Sequence, residues 1–253
     1  MRRDGRMAGR GPSFSRNLLL DALLDEERER LLEGATTHPI ELGHVYLDPG
    51  DPITRVMFPI SGTLSIIAEP DERHRVEAAT VGREGVANVH SALGSRIAGQ
   101  QLIGQVAGEA ISVEVELFAK EMSEPGRLEV LVHGYIEALF AQASLSAACN
   151  AAHHLDQRCA RWLLQTHDRA DADSFFLKQE FLAMMLGVQR PSVTVAAKTL
   201  QAAELITYRR GSITILDREG LEEAACGCYE QIRSEYSRLV PLKADGPASV
   251  RHA

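Results

Sequence analysis

Residues 177–216 constrain the fold of this chain more than any other segment, because helix, turn and strand signals follow one another there at short spacing. Apolar side chains share one side of a helix over residues 178–186, and Gly187 can end that helix with a positive φ. A second helix is predicted over residues 189–202, with Pro191 in its first turn, where a missing N–H costs nothing. Two short helices joined by a tight glycine turn predict a helix-turn-helix.

The second helix of this pair has one apolar and one polar face. Val193, Ala196 and Leu200 share the face that can be buried. The opposite face carries side chains that donate hydrogen bonds and none that is acidic: Arg190, Thr194, Lys198 and Gln201. An α-helix fits the major groove of DNA, and an arginine there can bind guanine O6 and N7 through two parallel N–H bonds. This face is therefore a candidate base-reading surface.

Two short strands follow, over residues 205–208 and 212–216, with Arg209 and Arg210 at the tip of the hairpin that they form. A helix pair followed by an arginine-tipped hairpin predicts a winged helix, whose wing can meet DNA phosphate. The predicted DNA-binding residues are Lys178, Gln179, Gln189, Arg190, Ser192, Thr194, Lys198, Arg209, Arg210 and Ser212. Winged helices also bind proteins, so a protein-interaction module stays open as the alternative.

The charge distribution favours a local rather than a general affinity for nucleic acid. The whole chain has a formal net charge of −8, whereas residues 175–216 hold five basic and two acidic residues, a net charge of +3. A basic face on an acidic body is the pattern expected of a protein that binds nucleic acid through one surface.

Composition sets the broad class of the protein. With 45% apolar and 25% charged residues, the chain has enough apolar side chains for a packed core. No run approaches the roughly 18 apolar residues of a membrane span, and no apolar signal-peptide core follows the N-terminal arginines. The four cysteines are too few for a secreted disulfide framework. A cytoplasmic protein without a membrane partner is therefore predicted.

The remaining signals predict an α+β chain in five parts. Residues 1–17 and 241–253 are predicted to be disordered tails. Short apolar runs between closely spaced turns predict a β-roll sensor domain over residues 18–126. A long helical pattern then covers residues 127–154, and the winged-helix domain takes residues 155–240.

The long helix is predicted to pair two copies of the chain. Its apolar stripe gives way to small alanine and serine side chains, which favour a close approach of two helices. The predicted dimerisation residues are Leu128, Val132, Tyr135, Leu139 and Gln142. The alternative is that this stripe packs on the chain's own β domain.

Patterns typical of enzymes and metal sites are missing or incomplete. The chain lacks a nucleophile elbow, a phosphate-binding loop and a His-Glu-x-x-His motif, so no catalytic residue is predicted, and an enzyme on the β-roll scaffold is kept as an alternative. Cys226 and Cys228 form a lone Cys-x-Cys pair, and Cys149 and His153 lie four residues apart on one helix. Each pair is too small for a metal site of about four ligands, so no metal is predicted.

Three stretches resemble Crp/Fnr-type bacterial transcription regulators. They are HVYLDPGDPITRVMFPISGTLSII (44–67), LKQEFLAMMLGVQRPSVTVAAKTLQAAELI (177–206) and YRRGSITIL (208–216). The resemblance implies an N-terminal β-roll of the cyclic-nucleotide-binding jelly-roll type, a long dimerisation helix and a C-terminal winged helix. It also implies a homodimer on a two-fold related DNA site, an effector that sets DNA affinity from the β-roll, and RNA polymerase as a partner.

The same resemblance bears on the DNA sequence and on the effector. Pro191 and Val195 differ from many members of the family, so a different DNA sequence is expected. Members that bind cyclic nucleotides share a Gly-Glu-Leu-Ala stretch and a later Arg-Ser/Thr-Ala, where this chain has GREGVA (82–87) and RIAGQQ (96–101). Only Glu84 and Arg96 are left as candidate effector-binding residues, and a cyclic nucleotide is not predicted. An iron–sulfur cluster is not predicted either, because no cysteine lies in the N-terminal half.

Overall fold

Two antiparallel sheets are separated along the chain by a long helix. The computed structural model describes residues 16–71, 74–170 and 172–240. The predicted tails lie outside these residues, apart from Arg16 and Asn17. Within the described part, no helix combines the length and the apolar character needed to cross a bilayer.

The first sheet has five strands, and every pairing in it is antiparallel. Its strands are β1 (Thr36–Ile40), β2 (Val45–Leu47), β3 (Arg55–Asp71), β4 (His74–Val81) and β5 (Gln101–Glu114). They lie in the order β1-β5-β3-β4, and β2 also pairs with β5. The register of β3 against β5 shifts three times between Pro59 and Leu64. Such shifts bend and twist a sheet, as the predicted β-roll requires.

Helices and one 3₁₀ turn cover this sheet. They are α1 (Leu18–Asp21), α2 (Asp25–Leu31), the 3₁₀ turn (Val89–Leu93), α3 (Val115–Ser123) and α4 (Arg127–Ala152). The buried Asn17 side chain caps α1 by accepting hydrogen bonds from the N–H groups of Leu19 and Leu20 at 3.1 and 3.2 Å. The first core lies between these elements and the sheet, where Phe58 and Phe118 meet edge to face at 6.2 Å between ring centroids.

The predicted dimerisation residues lie on the side of α4 that faces this core. They are Leu128, Val132, Tyr135, Leu139 and Gln142. Val132 and Tyr135 are fully buried, and the Gln142 amide donates to Thr80 Oγ1 at 2.8 Å and accepts from the Tyr236 hydroxyl at 2.7 Å. Leu128, Val132, Tyr135 and Gln142 are covered by their own chain and are not free to form an interface, whereas Leu139 is half-buried. The stripe therefore packs on the chain's own β domain, and the assignment of the four buried residues to a partner is corrected.

A second group of elements follows α4. In chain order it consists of α5 (Leu155–His167), β6 (Ser174–Phe176), α6 (Gln179–Leu186), α7 (Arg190–Ala202), β7 (Ile206–Arg209), β8 (Ser212–Ile215), α8 (Arg218–Ala224) and α9 (Cys228–Leu239). The three strands form a sheet in the order β6-β8-β7. A second core surrounds the buried indole of Trp162, and α5, α6 and α7 all contribute to it. The predicted α+β class, with a β-roll first and a winged helix last, is confirmed.

The last helix, α9, returns to the first half of the molecule and packs along α4. Cys228 at its start lies beside His153, and the backbone of Leu239 at its end lies against Gly134. The two helices are therefore antiparallel. Val240, just after α9, is buried in the first core. The chain segment that leaves the winged helix is thus anchored on the β-roll side.

Candidate nucleic-acid interface

The helix-turn-helix is formed by α6, a glycine turn and α7. Gly187 ends α6 in the left-handed conformation, with φ of 62°, which costs a glycine little. The N–H of Val188 donates to the carbonyl of Ala183 at 3.0 Å and closes the turn. Gln189 is extended and precedes α7, so the chain direction changes within three residues.

The two faces of α7 differ as the periodicity predicts. Its inward face is buried in the second core and consists of Val193, Ala196, Ala197 and Leu200. Gln189, Ser192 and Lys198 are exposed. The Arg190 side chain is also exposed, by 62%, and forms an ion pair with Glu180 at 3.0 Å. An ion pair this exposed contributes at most about 1 kcal/mol, so the guanidinium can exchange it for another partner.

Two polar residues of α7 have structural partners. The Thr194 hydroxyl donates to Gln179 Oε1 at 3.0 Å, which ties α7 to the first turn of α6. Gln201 Oε1 accepts a hydrogen bond from the N–H of Tyr208 at 2.9 Å, so this side chain braces the wing and does not extend the outward donor face. The outward polar face of α7 is therefore shorter than its sequence indicates.

The wing is the hairpin of β7 and β8, and its tip is a two-residue turn. Arg210 and Gly211 both have positive φ, 51° and 80°, the combination that a tight hairpin turn requires. Arg209 and Arg210 are exposed at this tip, and Ser212 pairs with Arg209 across the hairpin. The Tyr208 hydroxyl donates to the carbonyl of Leu177 at 2.6 Å, which holds the wing against the start of α6. Burial raises the pKa of this phenol to about 12, so it remains a donor.

A concave surface of about 380 Å³ joins the wing to the helix-turn-helix. It brings together four of the predicted DNA-binding residues, namely Lys178, Gln179, Arg190 and Arg210. The other six predicted residues lie outside it on the same domain, namely Gln189, Ser192, Thr194, Lys198, Arg209 and Ser212. The concavity has three basic side chains and one acidic one, Glu180.

One exposed residue was not among the predicted DNA contacts. Val195 is 66% exposed in the middle of α7, between the outward positions of Arg190 and Lys198. An apolar side chain at such a position can contact the methyl group of thymine. The resemblance already places Val195 in the recognition helix, but valine has no hydrogen-bond donor and is therefore not among the predicted contacts.

A second cavity, of about 310 Å³, lies between the first sheet and α4. Its walls are mainly apolar, with Val89 and Leu102 on the sheet side and Leu139 and Phe140 on α4. His90 also lines it, and burial lowers the pKa of this imidazole, whose buried Nε2 has no hydrogen-bond partner among the described residues. The cavity has no arginine or lysine in its lining.

The two candidate effector-binding residues do not line this cavity. Glu84 is paired with Arg169 at 2.8 Å, and Arg96 donates to the carbonyls of Ser91 and Ser95 and lies 3.5 Å from Glu116. The Glu84 charge is thus paired inside the protein, whereas the Arg96–Glu116 pair is exposed and can be exchanged. The assignment of these two residues to effector binding stays a prediction.

The two cysteine pairs, treated as separate in the sequence, meet in the structure. Cys149 Sγ lies 3.3 Å from Cys226 Sγ, and Cys228 Sγ lies 3.6 Å from His153 Nδ1. A hydrogen bond from Cys226 is the main cause that lowers the pKa of the Cys149 thiol. The interpretation of these residues as two unrelated pairs is wrong, because His153 and Cys226 are 73 positions apart in sequence and yet belong to one cluster.

Comparison with protein families identifies the second half of the chain. Residues 157–224 match the family model of the Crp-like helix-turn-helix domain. That range begins in α5 and ends with α8, so it includes α6, α7 and the wing. No curated protein matches the chain.

Solved structures with the same architecture cover most of the chain. FixK2 from Bradyrhizobium japonicum is 14% identical with a TM-score of 0.65, over 76% of this chain and 98% of that one. A crp/fnr-family protein from Eubacterium rectale is 18% identical with a TM-score of 0.62, over 81% and 96%. The c-di-GMP-responsive regulator CLP from Xanthomonas campestris is 20% identical with a TM-score of 0.59, over 75% and 98%. Residues 157–224 are therefore a Crp-like helix-turn-helix domain within a chain that has the fold of Crp/Fnr-family transcription regulators.

Proposed function

We propose that this protein is a homodimeric transcription regulator that binds a two-fold related DNA site through α7 and the wing. The observation that carries the proposal is the contrast between the two faces of α7. One face is buried in the second core, while Arg190, Val195 and Lys198 are exposed on the other. A helix of this kind can enter the major groove without unfolding any part of its own domain.

The exposed side chains suit different parts of DNA. Arg190 is near the N-terminal end of α7 and can bind a guanine edge after leaving Glu180, while Val195 can meet a thymine methyl group. Lys178, Lys198, Arg209 and Arg210 bind phosphates, which position the protein but carry no sequence information. Gln189 and Ser192 contact base edges or phosphates beside them.

Dimerisation uses the exposed face of α4 in this proposal. Its exposed residues recur at alternating spacings of three and four, as in a helix that pairs with another: Val130, His133, Glu137, Phe140, Ser144, Ala147 and Ala151. Phe140 is 73% exposed at the centre of this stripe. An exposed aromatic side chain, followed along the stripe by the small residues Ser144, Ala147 and Ala151, supports close packing of two copies of α4 along this face.

Effector sensing is assigned to the cavity between the first sheet and α4. Phe140 and Leu139 belong both to its wall and to α4, so an occupant of the cavity contacts the proposed dimerisation helix directly. The lining has no cationic partner for a phosphate, which favours a small apolar or weakly polar molecule over a cyclic nucleotide. In this proposal, the chain consists of a sensor domain (18–126), a dimerisation helix (127–154) and a DNA-binding domain (155–240). RNA polymerase is a further proposed partner.

Selection of bound sequences from a random DNA library tests the proposal. We expect an inverted repeat whose half-sites are centred about 10 base pairs apart, or a multiple of that distance, because two α7 helices enter successive major grooves. Binding should also weaken steeply with salt. Enrichment of no sequence, or of a single unrepeated half-site, would contradict a dimeric reader of DNA and favour a protein-binding winged helix.

A further inference from the structure

Three thiols and one imidazole meet where α4 ends and α9 begins. Cys149 lies in the last turn of α4 and His153 directly follows that helix, while Cys226 and Cys228 flank Gly227 at the start of α9. The three sulfur atoms and one ring nitrogen all lie within 4.8 Å of one another. Three thiols and one imidazole from two separate segments of the chain therefore lie close enough together to share one metal ion.

The spacing of these atoms agrees with tetrahedral metal coordination. With Zn–S of about 2.3 Å and Zn–N of about 2.0 Å, a tetrahedron places two sulfurs about 3.8 Å apart and a sulfur and a nitrogen about 3.5 Å apart. The distances are 3.3 Å between Cys149 Sγ and Cys226 Sγ, and 3.6 Å between Cys228 Sγ and His153 Nδ1. The other ligand-atom pairs lie within 4.8 Å, so binding of an ion would draw the four side chains closer together.

The packing of the cysteines separates them from ordinary core residues. Cys149, Cys226 and Cys228 are free and buried, and they form a cluster of their own, apart from both large cores. Cys159 provides the contrast, because it is buried among the apolar side chains of the second core. A cysteine that serves only as a small apolar side chain packs in the way that Cys159 does.

Arg161 adds a positive charge beside the cluster. Its side chain is buried, its Nε has no hydrogen-bond partner, and no described carboxylate lies within ion-pair distance of it. The charge acts on the thiols of Cys149 and Cys228 and also on the buried carboxyl of Glu77. A divalent cation held by three thiolates and a neutral imidazole has a net charge of −1, which supplies the counter-charge that a buried guanidinium needs.

We propose that Cys149, His153, Cys226 and Cys228 bind one Zn²⁺ ion in a structural site. Four protein ligands fill a tetrahedral coordination shell and leave no position for a substrate. Two ligands immediately precede the Crp-like domain of residues 157–224, and two immediately follow it. The ion thus ties both ends of the DNA-binding domain to the end of α4. This role is independent of whether the domain binds DNA.

Metal analysis and Co²⁺ substitution of the full-length protein test this proposal. Protein purified under reducing conditions without chelator should contain about one Zn²⁺ per chain. Replacement by Co²⁺ should give the strong visible absorption of a tetrahedral site and a thiolate charge-transfer band. Cys149→Ser, Cys228→Ser and His153→Ala should each lower the zinc content, and chelation should lower the melting temperature of the wild-type protein.

Matched controls lie next to the ligands. Cys159→Ser removes a buried cysteine outside the cluster, and His154→Ala removes the histidine adjacent to His153. Both variants should keep about one Zn²⁺ per chain and the Co²⁺ spectrum of the wild type. The wild-type spectrum alone reports the ligand set, so the test stands even where a serine variant fails to fold.

Several results would overturn the zinc site. Protein without zinc that also gives no tetrahedral Co²⁺ spectrum has no such site. A mass two daltons low that reductant restores in the wild type, but that is absent in Cys149→Ser, would show a disulfide of Cys149 in place of the metal. A visible absorption spectrum typical of an iron–sulfur cluster in the purified protein would show that the site holds such a cluster and not zinc. Stoichiometric zinc that survives both Cys228→Ser and His153→Ala would place the ion elsewhere.

Discussion

Glu77 is a buried carboxyl that connects the first sheet to α5. Its Oε1 accepts a hydrogen bond from Trp162 Nε1 at 2.8 Å, and its Oε2 accepts one from the Ser65 hydroxyl at 2.6 Å. Burial raises the pKa of Glu77 to about 7, while these two hydrogen bonds and the charges of Arg161 and Arg169 oppose the shift. The folded protein therefore holds a proton here at a pH where the unfolded chain has lost it.

This difference makes stability fall as pH rises from about 4.5 through 7, because over that range the folded state binds more protons than the unfolded state. We expect Glu77→Gln to remove this contribution and to make the protein more stable than wild type at pH 8, by up to about 3 kcal/mol. The same variant should gain little at pH 5. Denaturant unfolding at both pH values measures the difference.

The exposed carboxyl of Glu223 on α8 supplies the control, because Glu223→Gln removes a charge without touching a buried network. It should unfold like the wild type at both pH values. If Glu77→Gln destabilises the protein equally at pH 5 and pH 8, then Glu77 is charged in the folded state and the raised pKa is wrong.

At the scale of elements, helix α4 has two faces that can pack against another surface. One face packs on the first core, and the other carries the exposed stripe centred on Phe140. Since both faces include apolar side chains, the periodicity of this 26-residue helix predicts the helix but not which face is covered by its own chain. For this reason the predicted dimerisation residues fall on the face of α4 that packs on the first core.

The exposed stripe gives a direct prediction for assembly. Phe140→Glu places two charges in a symmetric interface and removes two aromatic side chains from it. We expect the dissociation constant of the dimer to rise at least about 100-fold, since burying each phenyl contributes about 1.5 kcal/mol or more. Sedimentation velocity over a range of concentrations measures this change.

Leu24→Glu is the matched control, because Leu24 is 60% exposed, lies before α2 and is not part of the exposed stripe of α4. It should leave the assembly state unchanged. A Phe140→Glu variant that dimerises as tightly as the wild type would place the interface elsewhere.

Elements with local sequence signals are predicted well, whereas elements that depend on long-range contacts are not. Helices α6 and α7 lie within one residue of their predicted bounds, because a glycine turn and a proline in the first helical turn are local signals. Strand β6 was missed: it has three residues, and its register is set by pairing with β8 across 38 positions, from Phe175 to Ile213. The cysteine and histidine cluster was missed for the same reason, since long-range proximity leaves no periodic pattern.

At the scale of the whole molecule, the two halves share polar contacts beyond α4. Trp162 binds Glu77, the Gln105 amide donates to Thr166 Oγ1 at 3.1 Å, and Arg169 pairs with Glu84 at 2.8 Å. Strand β4 also contacts α6, where Val76 lies against Gly187 of the helix-turn-helix. These contacts offer a physical route by which a change in the first sheet alters the position of α7.

The central claim is that α7 reads DNA through its exposed face, and Arg190 tests it most directly. Affinities of Arg190→Ala should be measured against a panel carrying every single-base change in the selected site. We expect the preference at one base pair in each half-site to be lost, at a cost of about 1–3 kcal/mol on the wild-type site. Arg209→Ala with Arg210→Ala should instead weaken all sites alike and reduce the salt dependence. A uniform loss for Arg190→Ala, with every base preference intact, would contradict the account.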